Sequence, residues 1–150
     1  MLNHDAITIY SAITLLLLIF CFAFTQYKKS HGREIVTRLG GDKLNKIDLK
    51  FAETTYTGYT QRGGIFTKAS MYYSDSILIF IHDENSLFGS LFNSLPRVIV
   101  HDQNLRISIK SDKCRIRIKK SKISEIEIYS DNDNAKLKLV LSEFEKKSKL

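Results

Sequence analysis

Nineteen consecutive residues, Ala6 to Phe24 (AITIYSAITLLLLIFCFAF), carry no charge, and this run constrains the chain more than any other feature. As a helix rising 1.5 Å per residue it spans about 28 Å, close to the ~30 Å hydrocarbon core of a bilayer. Helix is the conformation that lipid requires, because every backbone N–H and C=O must find its partner inside the segment. The run is apolar all round, which argues against the amphipathic helix of a soluble domain. Tyr10 near one end and Tyr27 just past the other suit the two interfaces. Thr8, Ser11 and Ala12 form a small-residue face suited to helix pairing, without a G-x-x-x-G pattern.

The flanks orient the segment. Residues 1–5 hold no Lys or Arg, whereas Lys28, Lys29, Arg33 and Arg38 follow closely behind the run. The positive-inside rule therefore predicts an N-terminus outside the cell membrane, a transmembrane helix over 6–24 and a cytoplasmic remainder. The competing reading is a secretory signal peptide, cleaved near the small-x-small pair Cys21 and Ala23, which would release a secreted β domain. A basic n-region is missing and the apolar stretch is long, so the uncleaved anchor is the preferred expectation. Phe20 stands where a lipoprotein signal needs a small residue.

All 23 basic residues lie behind the apolar run, with all but one of the 16 acids. That positive balance suits an anionic partner, or is simply a solvated basic surface. Hydrophobic content of 43% beside 26% charged residues excludes a disordered chain. Cys21 sits in the apolar run and Cys114 in a strand pattern, so they form neither a disulfide framework nor a metal-ligand spacing.

Behind the run, residues 25–45 read as a basic connector. A short helix with Ile35, Val36 and Leu39 on one side is expected there, Glu34 and Arg38 pairing at i,i+4 and Gly40-Gly41 ending it. From residue 46 the period becomes two. Ile47, Leu49 and Phe51 mark one strand, and a second runs from Ile65 to Tyr73 after a turn at Gly63-Gly64. After the Ser74-Asp75-Ser76 turn, Ile77 to Ile81 is apolar throughout, the pattern of a strand covered on both faces. Further strands are expected at Val98–Val100, around Leu105–Ile109, Cys114–Ile118 and Ile126–Ile128, and finally through Leu137, Leu139 and Leu141. Residues 143–150 leave room for at most two helical turns. The expected fold is mainly β: an antiparallel barrel or sandwich of about seven to eight strands with one short helical insertion, preceded by one transmembrane helix.

That insertion is residues 84–96, where Leu87, Phe88, Leu91, Phe92 and Leu95 stand at helical spacing before Pro96. Two readings stand: a helix packed on the sheet, or an apolar surface, Leu87, Phe88, Leu91 and Phe92, that meets membrane or partner. A second candidate surface is basic. If the strands around Leu105–Ile109 and Cys114–Ile118 form a hairpin, Arg106, Lys110, Arg115, Arg117 and Lys119 gather on its outward face. Beside a membrane, each cation could contribute ~1 kcal/mol toward anionic lipid. The opposing reading is a solvated face neutralised by Glu125 and Glu127 on the next strand.

The remaining motifs are weak. Asp131 and Asp133 suggest calcium, but Ala135 and Lys136 occupy positions that need an oxygen donor and a glycine, so a hairpin turn is expected. His82-Asp83 and His101-Asp102 each follow an apolar strand, without a nucleophile motif, an H-E-x-x-H or a Gly-rich phosphate loop. No catalytic residue, cofactor or metal is expected. The aromatic residues do not interleave with the basic strands as nucleic-acid stacking requires, so no nucleic-acid partner is expected either.

The stretch Gly64 to Phe80, GIFTKASMYYSDSILIF, resembles the strand–turn–strand of bacterial pleckstrin-homology-like and GRAM-like domains. The segment Lys122 to Ile128, KISEIEI, is similar to an Ile-x-x-Ile stretch later in such domains. Together they cover about a fifth of the chain. The resemblance implies a seven-stranded bent barrel that binds at membranes without catalysis, one end closed by a C-terminal helix. Read as strand and tail, the end of this chain departs from that pattern, and no binding residue carries over. The sequence thus points to a membrane-anchored binding domain for a protein partner or an anionic inner leaflet, with a structural subunit of a membrane complex as the alternative.

Overall fold

A computed structural model describes residues 4–57, 60–62, 67–83, 95–100, 105–109, 114–119, 123–130 and 134–148. The first element, α1 (His4–Leu39), is one unbroken helix of 36 residues, about 54 Å long. No separate juxtamembrane helix exists: the connector simply continues the apolar segment, because nothing between Phe24 and Leu39 breaks the helix. The break comes at Gly40 and Gly41, whose φ angles of 155° and 50° lie where glycine alone is comfortable. A short 3-10 turn (Gly41–Lys43) then leads into the sheet.

The strands are β1 (Asn45–Thr57), β2 (Thr60–Arg62), β3 (Thr67–Tyr73), β4 (Ile77–His82), β5 (Arg97–Val100), β6 (Leu105–Ile109), β7 (Cys114–Lys119) and β8 (Ile123–Ser130). Seven of them form one antiparallel half-barrel in the order β5-β4-β3-β1-β8-β7-β6, and short β2 pairs with the end of β1. The long β1 stands in the middle because it pairs with β3 through Asn45–Phe51 and with β8 through Leu49–Tyr56. The alternating residues point as their period demands: Ile47, Leu49 and Phe51 enter the core with Ile107, Ile116, Ile126 and Ile128.

The chain ends in a second helix, α2 (Asn134–Ser148). This corrects the expectation of a last strand through Leu137, Leu139 and Leu141 and a tail of two turns. Leu137, Leu141 and Phe144 are buried in the main core with Val140 packed against it, while Leu139 is 59% exposed. The concave sheet face must be covered, and spacing of i, i+3, i+4 and i+7 lets one helical stripe do so. The expected helical insertion at 84–96 falls almost wholly outside the described residues; Leu95, at its end, is fully buried. The Asp131–Asn134 turn also lies outside them up to Asn134, which opens α2.

Apolar from Ile77 to Ile81, β4 serves two cores. Leu78 and Phe80 join the main core, where Phe80 meets Phe51 with ring centroids 5.5 Å apart. Ile79 and Ile81 face the other way, onto Val36, with Ile35 and Leu44 packed alongside. The outer face of the sheet is therefore the seat of α1.

Candidate functional site

The two halves of α1 live in different surroundings. Between Ile7 and Phe22 the large apolar side chains are about half to two-thirds exposed, and among the described residues nothing buries the most apolar stretch. The helix is long and apolar enough to cross a membrane. From Cys21 onward one stripe of it is covered: Thr25, Lys29, Gly32 and Val36 are buried, with Cys21 and Lys28 partly so. That spacing is the i, i+4 row of a helix laid on a surface. At Gly32 the approach is closest. A Cβ there would stand 3.0 Å from Ile81 Cγ2, 3.1 Å from Ile81 Cβ and 3.5 Å from Pro96 Cβ.

This collar, where the apolar span gives way to the docked half, concentrates the chemistry. Lys28 and Lys29 are the first cations after the span. The Lys28 ammonium lies 5.0 Å from the centre of the Phe24 ring, and Lys29 is only 5% exposed. His82, at the end of β4, is 3% exposed, and neither of its ring nitrogens has a hydrogen-bond partner among the described residues. Burial, with the charges of Lys28 and then Lys29, holds the imidazole neutral by pulling its pKa down to about 4. A buried polar group left unpaired costs ~1–3 kcal/mol, so this one calls for a physical explanation.

Below the collar, α1 and the outer sheet face enclose a groove of about 340 Å3, lined among others by Arg33, Asp42, Lys46, Ser70, Tyr72 and Asp83. Its charges are mixed. Lys46 donates to Asp48 at 2.9 Å and Ser70 donates to the same carboxylate oxygen at 3.1 Å. The bond from Lys46 lowers the Asp48 pKa and, reciprocally, raises that of Lys46. A second hollow of about 380 Å3, between α2 and the β3–β4 turn, is bordered by the ion pair of Lys147 with Asp75 at 2.9 Å.

The antiparallel pairing expected for these two strands is present as β6 and β7, with Arg106 opposite Arg117. Its cations do not stand alone, however. Glu125 on β8, its side chain 6% exposed, accepts from Arg117 Nη2 at 2.7 Å and lies 3.6 Å from Arg115 Nε. Glu127 takes Arg115 Nη2 at 2.6 Å. The register dictates this, placing Arg115 opposite Glu127 and Arg117 opposite Glu125. Arg106 is exposed. Lys119 ends β7 opposite Ile123, and Lys110 lies outside the described residues, as do Leu87, Phe88, Leu91, Phe92 and His101.

The sequence therefore located the β6–β7 strand pair and its neutralising acids but missed that α1 lies on β4, so that the charges of Lys28 and Lys29 bear on buried His82. Only His82, a polar residue closing an apolar strand, gave a signal. Burial raises the pKa of Cys114, which together with its 1% exposure makes it an inert core residue. No group of three or more His, Cys, Asp or Glu among the described residues could hold a metal ion. No protein-family model matches the chain, and no curated protein matches it.

Proposed function

We propose that this chain is a single-pass membrane protein whose β domain is a binding module held on the cytoplasmic face of the cell membrane, with the anionic inner leaflet as its principal ligand. One observation carries the reading: a single helix supplies both the apolar span and the seat of the domain, with no linker between them. Thr25 is 1% exposed, so the domain's cover reaches the turn that directly follows Phe24. A module seated so close to the span meets headgroups, and Lys28 and Arg33 follow the span on the part of the helix that is not fully covered. The pleckstrin-homology-like or GRAM-like resemblance fits this picture. It implies a seven-stranded bent barrel with one end closed by a C-terminal helix; the seven-stranded half-barrel and α2 support that reading.

The test joins extraction with topology. Carbonate washing should leave the protein in the membrane fraction. In Leu139→Cys, an impermeant maleimide should label the α2 surface only after the cells are opened, since Cys114 is buried. Labelling of Leu139→Cys in intact cells would refute the cytoplasmic placement. A structural subunit of a membrane complex is the second reading, favoured by the bare stripe of Ile7, Ser11, Thr14 and Leu18 in line with the docked face. Solubilised protein that runs as a lone monomer with no partner would count against it.

A further inference from the structure

We propose that the outer edge of β6 (Leu105–Ile109) takes up an extended segment of a partner protein as an added antiparallel strand, one whose side chains alternate apolar and polar with an acid set opposite Arg106. This surface stands whether or not α1 spans a membrane.

The backbone is the first observation. β6 ends the sheet order, and among the described residues none of Leu105 to Ile109 makes a backbone bond beyond those to β7. Such an edge presents its N–H and C=O groups as a template for another chain. Proline, bulges and covering elements are the usual guards of an edge. At the far end of the sheet, β5 directly follows Pro96 and its Arg97 already has a partner. In β6 all five residues keep an N–H, and they pair with β7 in unbroken register. Leu105 and Ile107 are buried in the main core, but Ile109, on the same face, is 38% exposed. The apolar row is unfinished at this edge.

Charge is the second observation. On the outer face the register sets Glu125, Arg117 and Arg106 in one row across β8, β7 and β6. Arg117 is held by Glu125 at 2.7 Å. Arg106 comes next with like charge; it is exposed and forms no ion pair among the described residues. Like charges directly opposite each other destabilise a sheet, and an acid on an added strand opposite Arg106 restores the alternation. In the neighbouring row Glu127 and Arg115 lead to the exposed Ser108. An antiparallel partner therefore reads apolar, polar, apolar, acidic, apolar against Ile109 back to Leu105. A second copy of β6 fits less well, because pairing about Ile107 sets Arg106 against Ser108 and leaves the cation uncompensated.

The experiment uses the full-length protein in phosphatidylcholine nanodiscs, read by backbone amide exchange along β6. The probe is the capped peptide Ser-Val-Thr-Val-Glu-Val-Ser. Its controls are a Lys-for-Glu counterpart and two versions methylated on alternate backbone nitrogens, one in each phase. The outward amides of β6 should exchange fast in the free protein and be protected saturably by the Glu peptide. The Lys counterpart should bind about tenfold more weakly, and one of the two methylated phases should not bind at all. Arg106→Glu should invert the Glu-over-Lys preference at unchanged Tm, because an acid there faces Arg117. Absence of binding, a preference that Arg106→Glu leaves as it was, or equal binding of both methylated peptides overturns the site. Slow β6 exchange before peptide is added overturns it too. The edge would then already be covered by a second copy, or by lipid where the slowing is confined to phosphatidylglycerol nanodiscs.

Discussion

Gly32 offers a direct test of whether the domain is rigidly seated on its long apolar helix. Replacing it with Val pushes atoms into a contact where even the first carbon stands 3.0–3.1 Å from Ile81. One of those neighbours is Ile81 Cβ, which no side-chain rotation can move away. The helix must therefore lift or the strand must shift, and overpacking of this kind costs ~1–3 kcal/mol. Helix propensity works the other way, since Gly is ~1 kcal/mol worse than Ala and a few tenths worse than Val. For Gly32→Ala the two effects largely offset each other. For Gly32→Val the larger side chain meets Pro96 as well, and steric cost wins by about 1–2 kcal/mol, or roughly 5- to 30-fold in the docking equilibrium. Hydrogen exchange on full-length protein in nanodiscs reads this directly. Backbone amides of 25–39 keep their own helical bonds, so the informative signals are the β4 amides and the side-chain methyls of Ile79, Ile81 and Val36. Gly32→Val should speed exchange in β4 and shift those methyls, while leaving the α2 side of the core, reported by Leu141 and Phe144, unchanged. Protection in β4 and methyl positions equal to those of the unaltered protein would refute the seated-helix argument.

Other perturbations separate the remaining elements. Glu125→Gln removes a nearly buried carboxylate from two partly exposed arginines, so its cost should be about 1–2 kcal/mol, less than for a fully buried pair, seen as a lower Tm. Charge reversal at Arg115 and Arg117 should lower Tm more than it alters liposome binding, because both guanidinium groups already face acids on β8. Phe144→Ala should cost about 3–5 kcal/mol in denaturant unfolding, since Phe144 is 3% exposed within the α2 stripe. For His82 the folded pKa of about 4 lies below the ordinary histidine value of 6.5. Between those values the unfolded chain binds more protons, so stability should be level above pH 6.5 and fall as pH drops toward 4, by at most ~3 kcal/mol. His82→Phe should flatten that slope in a pH series of unfolding curves.

How much of this was legible in the sequence depends on whether a segment's partner is local. The membrane-length helix is written in the chain itself, because 19 uncharged residues exceed what a soluble face needs and match a bilayer. The strands other than short β2 also show through, since a period of two with one buried face is a property of each strand alone. Even the double duty of β4 was visible as an apolar run from Ile77 to Ile81.

The tertiary structure decided the rest. Residues 134–148 satisfy two periods at once: Leu137, Leu139 and Leu141 alternate, and Leu137, Val140, Leu141 and Phe144 follow a helix. Only a concave sheet face in need of cover selects the second, and that face is assembled from strands that begin some ninety residues before the helix and end at Ser130. The neutralised hairpin needed the β7–β8 register to set Arg115 against Glu127 and Arg117 against Glu125. The seat of the domain needed α1 to lie on β4, setting Gly32 and Val36 against Ile79 and Ile81 more than forty positions away. Periodicity records which face of a segment is buried; it holds no information about which distant segment buries it.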